Sequence, residues 1–434
     1  MTNTLPDNPD PAKANKGALL VIFLTVFIDL LGFGIVLPLL PLYGDQFATD
    51  PGGWQIGALM ASFSLMQFFF SPIWGGLSDR VGRRPVIIFG ISGSVVFYAL
   101  FGIAAMNASL VGLFVARIGA GICGATVSTA QAYIADTTTK ENRTRGMALV
   151  GMAFGLGFTF GPVLALFAVL GNENDKLGAG PGFAAAALSA VALMCAIFLL
   201  PESRKKQVAG KSNGQSNVRS AWWRVEAWRE VIGIRGLKWL VAAFATFIFA
   251  FALFETSLSL LVKGSKEFPD PPFQFSLTQV CLMFASLGFL SAIVQGAVVR
   301  PLSKRVSNAR LAITGSIIEV FGFGILAFAA GNASLTMLAT GFVVIVCGYA
   351  CIQPSMYSLL SRWSDPERQG SMLGAAQSAN SISRILGAGL GIPLIMVGVT
   401  IPSWASMGLM VVALMLLSRA VQFGHDYAEA TSSP

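Results

Sequence analysis

A chain of 434 residues that is 54% hydrophobic and only 12% charged carries about half the charge of a soluble domain, which excludes a water-soluble fold. Its formal charge of +8 would suit a nucleic-acid binder, but the basic residues sit in short breaks between long apolar runs, so no nucleic-acid partner is expected. The runs are continuous and rich in Leu, Phe, Ala and Gly rather than strictly alternating, which excludes an outer-membrane β-barrel.

Residues 1–17 read as a polar, Pro-rich cytoplasmic tail, with no cleavable leader. Twelve apolar runs follow, each long enough to cross a hydrocarbon core as a helix: roughly 18–42, 54–74, 86–106, 109–135, 147–170, 183–200, 239–262, 278–299, 309–330, 334–360, 371–397 and 402–418. The expected fold is therefore an all-α integral membrane protein with six-helix bundles over 18–200 and 238–420, joined by a cytoplasmic linker at 201–237 and ending in a tail at 421–434. The linker opens on the basic string PESRKKQVAGKSNGQSNVRS and continues as AWWRVEAWREV. That amphipathic stretch would lie along the membrane surface with Trp222, Trp223 and Trp228 at headgroup level.

With the N-terminus in the cytoplasm, all but five of the 29 Lys and Arg residues fall in cytoplasmic tails and loops. Lys176, Lys263 and Lys266 are outside, and Arg117 and Arg384 lie within spans. This bias places both termini in the cytoplasm of a cell whose inner (plasma) membrane the chain crosses many times. All five cysteines fall in spans and read as packing residues rather than disulfide partners.

The two halves repeat weakly. Leu77-Ser78-x-Arg80-Val81 returns 225 positions later as Leu302-Ser303-x-Arg305-Val306, Tyr133 and Gly146 return as Tyr357 and Gly370, and Asp29 aligns with Glu255. Near-identical shifts at equivalent places point to parallel duplication, with a shared cavity where the halves meet.

Three acids, Asp29, Glu255 and Glu319, and two bases, Arg117 and Arg384, lie well inside spans. Each would cost roughly 2.5–3.5 kcal/mol at a lipid-facing helix centre, so they are expected to face a watery cavity or one another. An acid in such a cavity can take up and release a proton as the cavity opens to either side. Asp29 and Glu319, with Glu255 behind them, are thus candidate proton or substrate sites, and Arg117 would tune one acid. The competing reading for each is a buried ion pair that fixes helix packing. Phe251, Phe254 and Phe323, one turn from an acid, could line an apolar cavity. An enzyme is not expected, since the spans hold no histidine, no nucleophile beside a base and no metal-ligand cluster.

The string Gly75-Gly76-Leu77-Ser78-Asp79-Arg80-Val81-Gly82-Arg83-Arg84-Pro85 resembles the signature loop of the major facilitator superfamily, between the expected second and third spans. Its glycines permit a tight turn, while Arg80, Arg83 and Arg84 would anchor to anionic headgroups and Asp79 offers them a fixed charge. Arg117-Ile-Gly-Ala-Gly121-Ile-Cys-Gly124, followed by Asp136 and Arg143, resembles the family's fourth-span pattern; GAGICG mimics a dinucleotide fingerprint but has no preceding strand. Gly157-Phe-Thr-Phe-Gly161-Pro162 resembles the antiporter motif of the drug-efflux branch, although Ala165 and Leu166 stand where that motif has glycines. Over nearly the whole chain the resemblance is to tetracycline and multidrug:proton antiporters. It implies alternating access, a small-molecule substrate exported against protons, a monomer in the lipid bilayer and no cofactor or metal. Phe97 and Ser291 replace that branch's third-span acid and eighth-span histidine, and the only histidine is His425 in the tail, which counts against tetracycline itself. The alternative is a facilitator or symporter for a sugar, organic acid or other nutrient.

Overall fold

The computed structural model describes residues 16–47, 49–137, 143–169, 177–203, 233, 235–264, 271–303, 305–363 and 369–424. The amphipathic Trp stretch, most of both tails and His425 lie outside the described residues. Within them the regular structure is helical throughout: α1 (Lys16–Val36), α2 (Leu40–Phe47), α3 (Trp54–Val81), α4 (Arg83–Met106), α5 (Leu110–Gly124), α6 (Val127–Thr137), α7 (Arg143–Val169), α8 (Gly180–Leu199), α9 (Arg235–Lys263), α10 (Leu277–Ile293), α11 (Asn308–Asn332), α12 (Leu335–Arg362), α13 (Gln369–Val397) and α14 (Ile401–Phe423). Ten helical stretches are long and apolar enough to cross a membrane, and two shorter apolar ones, Leu110–Gly124 and Gly155–Ala168, coincide with the expected fourth and fifth spans.

Polar residues set the helix starts. Ser109, Ser307 and Ser334 cap α5, α11 and α12 by accepting from the backbone N–H three residues on. Ser276 and Gln279 form a reciprocal capping box at α10. Two expected spans are not continuous helices. The first stops at Val36 and restarts at Leu40, because Pro38 has no N–H to donate and its ring clashes with the carbonyl one turn back. The fourth breaks at Ala125 and Thr126, where the Thr126 hydroxyl and N–H both turn back to the Cys123 carbonyl. α10 runs on as a π-helical turn, Val294–Val299, and a last short turn, Arg300–Leu302.

The helices pack in two sets. In the first, α1 packs on α7 and α8, α4 on α8 and α5, and α3 on α5; in the second, α9 packs on α13 and α14, α11 on α14 and α12, and α10 on α12. The second list is the first with each helix replaced by its counterpart. Between the sets the main seams are α3 with α13 and α7 with α10, which exchange under the same replacement. One buried core threads both sets, including Ile35, Leu39 and Tyr43 from the first and Phe244, Phe247 and Phe254 from the second. Outward positions are also apolar: Phe198, Val397 and Val111 are 79%, 77% and 74% exposed, a surface that suits lipid and not water.

Contacts between the sets gather at one end. There a Cβ on Gly57 of α3 would strike the Gly389 carbonyl of α13, one on Gly389 would lie 4.0 Å from Ala61 Cβ, and Ser259 Oγ donates to the Pro38 carbonyl at 2.7 Å. Midway along, Gly288 of α10 lies against Thr159 of α7. At the signature-loop end, a Cβ added to Gly75 or Gly76 of α3, or to Gly296, would meet nothing within 4 Å. The sets thus pack closely at the end away from the loop.

Candidate functional site

Where the sets meet, helices of both enclose a small cavity. α1 contributes Phe33, α3 Phe63, α5 Arg117, α9 Glu255 and Thr256, and α13 Arg384. Its free volume is about 20 Å³, room for one water, so the walls are nearly closed on each other. On the second-set wall Arg384 Nη2 donates to Glu255 Oε2 at 3.0 Å, forming an ion pair. Arg117, from the first set, is 2% exposed; its Nε and Nη1 have no hydrogen-bond partner, and among the described residues no carboxylate pairs with it. Its guanidinium instead lies over the Phe63 and Phe33 rings, at 4.5 and 5.7 Å from their centroids.

The other two acids sit apart, one in each set. Asp29 of α1 accepts from Ser189 Oγ of α8 at 3.3 Å. Glu319 of α11 is fully buried, and neither of its carboxyl oxygens has a hydrogen-bond partner among the described residues. It fits there because α12 presents Gly348, where a Cβ would strike Glu319 Cγ. Sequence order places five charges inside spans; the structure gathers three of them into one cavity and leaves Asp29 and Glu319 in separate helix crevices.

The signature loop turns inward. Gly82 takes φ of 105°, a conformation that glycine adopts at little cost, and lets α4 start immediately after α3 ends. Arg83 is buried, with Nε 3.0 Å from Asp136 Oδ2 of α6 and Nη1 2.6 Å from Ser78 Oγ of α3. The first two N–H groups of α4, those of Arg83 and Arg84, donate to the two oxygens of Glu202 at 3.0 and 3.1 Å. Arg84 Nη2 donates to the Ile197 carbonyl at the end of α8. Headgroup anchoring was the expected role of this cluster. For Arg83 and Arg84 the geometry substitutes a tie between α3, α4, α6 and α8, while Arg80 remains exposed.

Several side chains take places that the sequence does not announce. Phe251, Phe254 and Phe323 do not line the cavity. Phe251 stacks on Tyr349 at 4.1 Å and Phe254 meets Phe323 edge-on at 5.5 Å, a packed aromatic cluster inside the second set. The aromatic wall is Phe33 and Phe63, which no acidic neighbour in sequence singles out. Glu202 belongs by sequence to the linker, and only its approach to the start of α4 reveals its part. α7 runs unbroken through Pro162, and Gly161 serves close approach: a Cβ there would lie 2.5 Å from Gly34 Cα of α1. Phe97 packs its ring on Gly119 of α5, and Ser291 accepts from Gln295 Nε2 at 3.2 Å.

Comparison with known proteins bears on this arrangement. Residues 22–388 and 272–426 match the family model described as Major Facilitator Superfamily. The class C tetracycline resistance protein of Escherichia coli is 34% identical over 382 residues, covering 86% of this chain and 88% of that protein. The crystal structure of the human organic anion transporter MFSD10 (TETRAN) superposes with a TM-score of 0.69 and 25% identity, covering 95% of this chain and 100% of that one. The crystal structure of a D-xylose-proton symporter superposes with a TM-score of 0.72 over 93% of this chain and 97% of that one; at 16% identity it shows the fold alone.

Proposed function

The chain belongs to the major facilitator superfamily of membrane transporters, and on that premise we propose that it is a proton-coupled antiporter exporting an amphipathic small molecule by alternating access. The observation that carries this reading is the charged cavity between two helix sets that pack closely at the end away from the signature loop. A transporter needs such a site to be reachable from one side at a time. The likeness to a tetracycline resistance protein favours export, and the likeness to the human organic anion transporter MFSD10 favours an organic ion over a sugar.

With the signature loop in the cytoplasm, as the positive-inside bias favours, the closely packed end faces away from the cytoplasm of a plasma membrane and both termini lie on the cytoplasmic side. Residues 18–200 and 238–420 then form the two moving bundles, joined by the 201–237 linker, in a monomer. In this reading Glu319 and Asp29 exchange the proton. Glu319 supports the assignment best, because a carboxyl buried without a counter-charge is costly to ionise and needs a change of surroundings to release its proton. Glu255, held by Arg384, is the substrate-side acid. Arg80, Arg83 and Asp136 act on gating at the cytoplasmic end, with Asp79 in the same loop.

The test is transport by proteoliposomes under an imposed pH gradient, using lipophilic dyes, tetracyclines and common metabolites. Gradient-driven flux, lost in both Asp29→Asn and Glu319→Gln, is the expected result. Flux that persists in Glu319→Gln removes the proton role from that residue. A facilitator or symporter for a nutrient is the second reading, favoured by Ala165 and Leu166 in place of the antiporter-motif glycines; substrate flux that reverses freely without a proton gradient selects it.

A further inference from the structure

We infer that the cavity between the helix sets is a subsite for an anion, and that the substrate is an amphipathic molecule whose carboxylate or similar acidic group pairs with Arg117. The inference rests on the transporter reading and adds the chemical class of its cargo.

The argument is one of charge and unsatisfied donors. Among the residues that line the cavity, the charged ones are Arg117, Glu255 and Arg384. Glu255 and Arg384 satisfy each other at 3.0 Å, which leaves Arg117 as the surplus charge. A guanidinium keeps its charge at any accessible pH and carries five N–H donors. Here its Nε and Nη1 are buried without a hydrogen-bond partner among the described residues, on a residue only 2% exposed. Leaving charged donors unpaired out of water is costly, so the site as it stands lacks an acceptor.

A cationic ligand would meet Arg117 head-on and would have to take Glu255 from Arg384. A neutral ligand would leave the guanidinium short of charge. A carboxylate supplies both the acceptor atoms and the compensating charge, and the fork of an arginine matches it well. The remaining walls say what the rest of the molecule is. Phe33 and Phe63 carry the guanidinium on their faces, and Leu37 and Met60 extend an apolar surface beside them. An aromatic or otherwise flat apolar body fits there. The lining comes from both sets, so the cavity widens to admit such a body when the sets part, without breaking the packing inside either one.

The experiment is ligand binding to the purified full chain in detergent or nanodiscs, comparing three probes of one shape: 2-naphthoate, 2-naphthamide and 2-naphthylmethylammonium. The expected result is that naphthoate binds at least tenfold more tightly than the amide and the ammonium more weakly still. Arg117→Gln should erase the preference for naphthoate, and Arg117→Lys, which keeps a positive charge, should retain part of it. Equal affinities, tightest binding of the ammonium, no saturable binding of naphthoate, or an unchanged preference in a folded Arg117→Gln protein would each overturn the inference. Should Arg117→Gln not fold, the wild-type and Arg117→Lys comparison decides alone: a Lys variant that prefers naphthoate to the amide as strongly as wild type does would overturn the pairing with Arg117. The two readings fail separately. Dye flux in proteoliposomes without any naphthoate preference removes the anion and leaves the transporter, whereas Arg117-dependent naphthoate binding without any flux supports the anion site and removes the transport.

Discussion

Glu255 and Arg384 meet with unequal burial, 7% and 27% exposed at the side chain, and that inequality sets what their loss should do. Removing one member of a buried pair strands the other, at about 3–5 kcal/mol when both are fully enclosed. Arg384 keeps some contact with solvent, so the low end, about 3 kcal/mol, is expected for Glu255→Gln. The double variant Glu255→Gln/Arg384→Met should recover most of that loss, read as thermal unfolding of the purified protein; additive losses would show that the pair is not coupled. Glu319 poses the opposite case, since among the described residues it has no partner to strand. Glu319→Leu should leave the melting temperature within a few degrees of wild type while abolishing pH-driven flux, and a large drop in melting temperature would mark Glu319 as structural instead. The charges themselves were legible in the sequence, because an ionisable residue in an apolar run stands out. Their partners were not. Nothing in the neighbourhood of Arg117 in sequence points to Phe33 and Phe63, which reach it from two other helices.

At the scale of helices, the contact between α1 and α7 depends on two backbones touching. Gly161→Leu would force Gly34 away, and overpacking of this kind costs about 1–3 kcal/mol or more, with rigid backbone on both sides pushing the figure upward. The expected outcome is a protein that loses its monodisperse peak in size-exclusion chromatography, whereas Gly161→Ala should survive with reduced stability. Glu202→Gln removes the carboxylate that holds the first two N–H groups of α4, a cap-like interaction of about 1 kcal/mol, and should lower the melting temperature modestly without changing substrate affinity. Span positions could be read from apolar run length, and each expected span has a helix over it. The interruptions at Pro38 and at Thr126 could not be placed in the same way. A run-length argument counts residues that tolerate lipid, and both breaks lie within stretches that remain apolar, where a proline or a hydroxyl redirects the backbone without altering hydropathy.

For the whole molecule, the seal between the sets is the feature that alternating access must break. Ala61 and Gly389 face each other across it at a Cβ separation of 4.0 Å, within the span of a disulfide. In a background cleared of the five native cysteines, Ala61→Cys/Gly389→Cys should crosslink on oxidation and stop transport, with recovery on reduction. Unimpaired flux in the crosslinked protein would mean that this end need not open. The duplication was visible in the sequence as matched shifts, and the contact pattern repeats helix for helix, because packing partners are set by chain order and short connections. The seams between the sets were not visible, since they turn on small residues such as Gly57, Ala61, Gly288 and Gly389 that look like many others along the spans. One of those seams, α7 against α10, ends where α10 passes from Gly288 into its π-helical turn and Gly296 faces open space. Each bond of a π turn closes over five residues where an α turn closes over four, so the segment stores one residue more than an α-helix between the same two points needs. The gene could therefore lose the codon for Gly296 and the helix would close as α, with Ser291 and Arg300 left where they are: a site in a crowded membrane bundle where chain length, ordinarily fixed by register, is free to change by one.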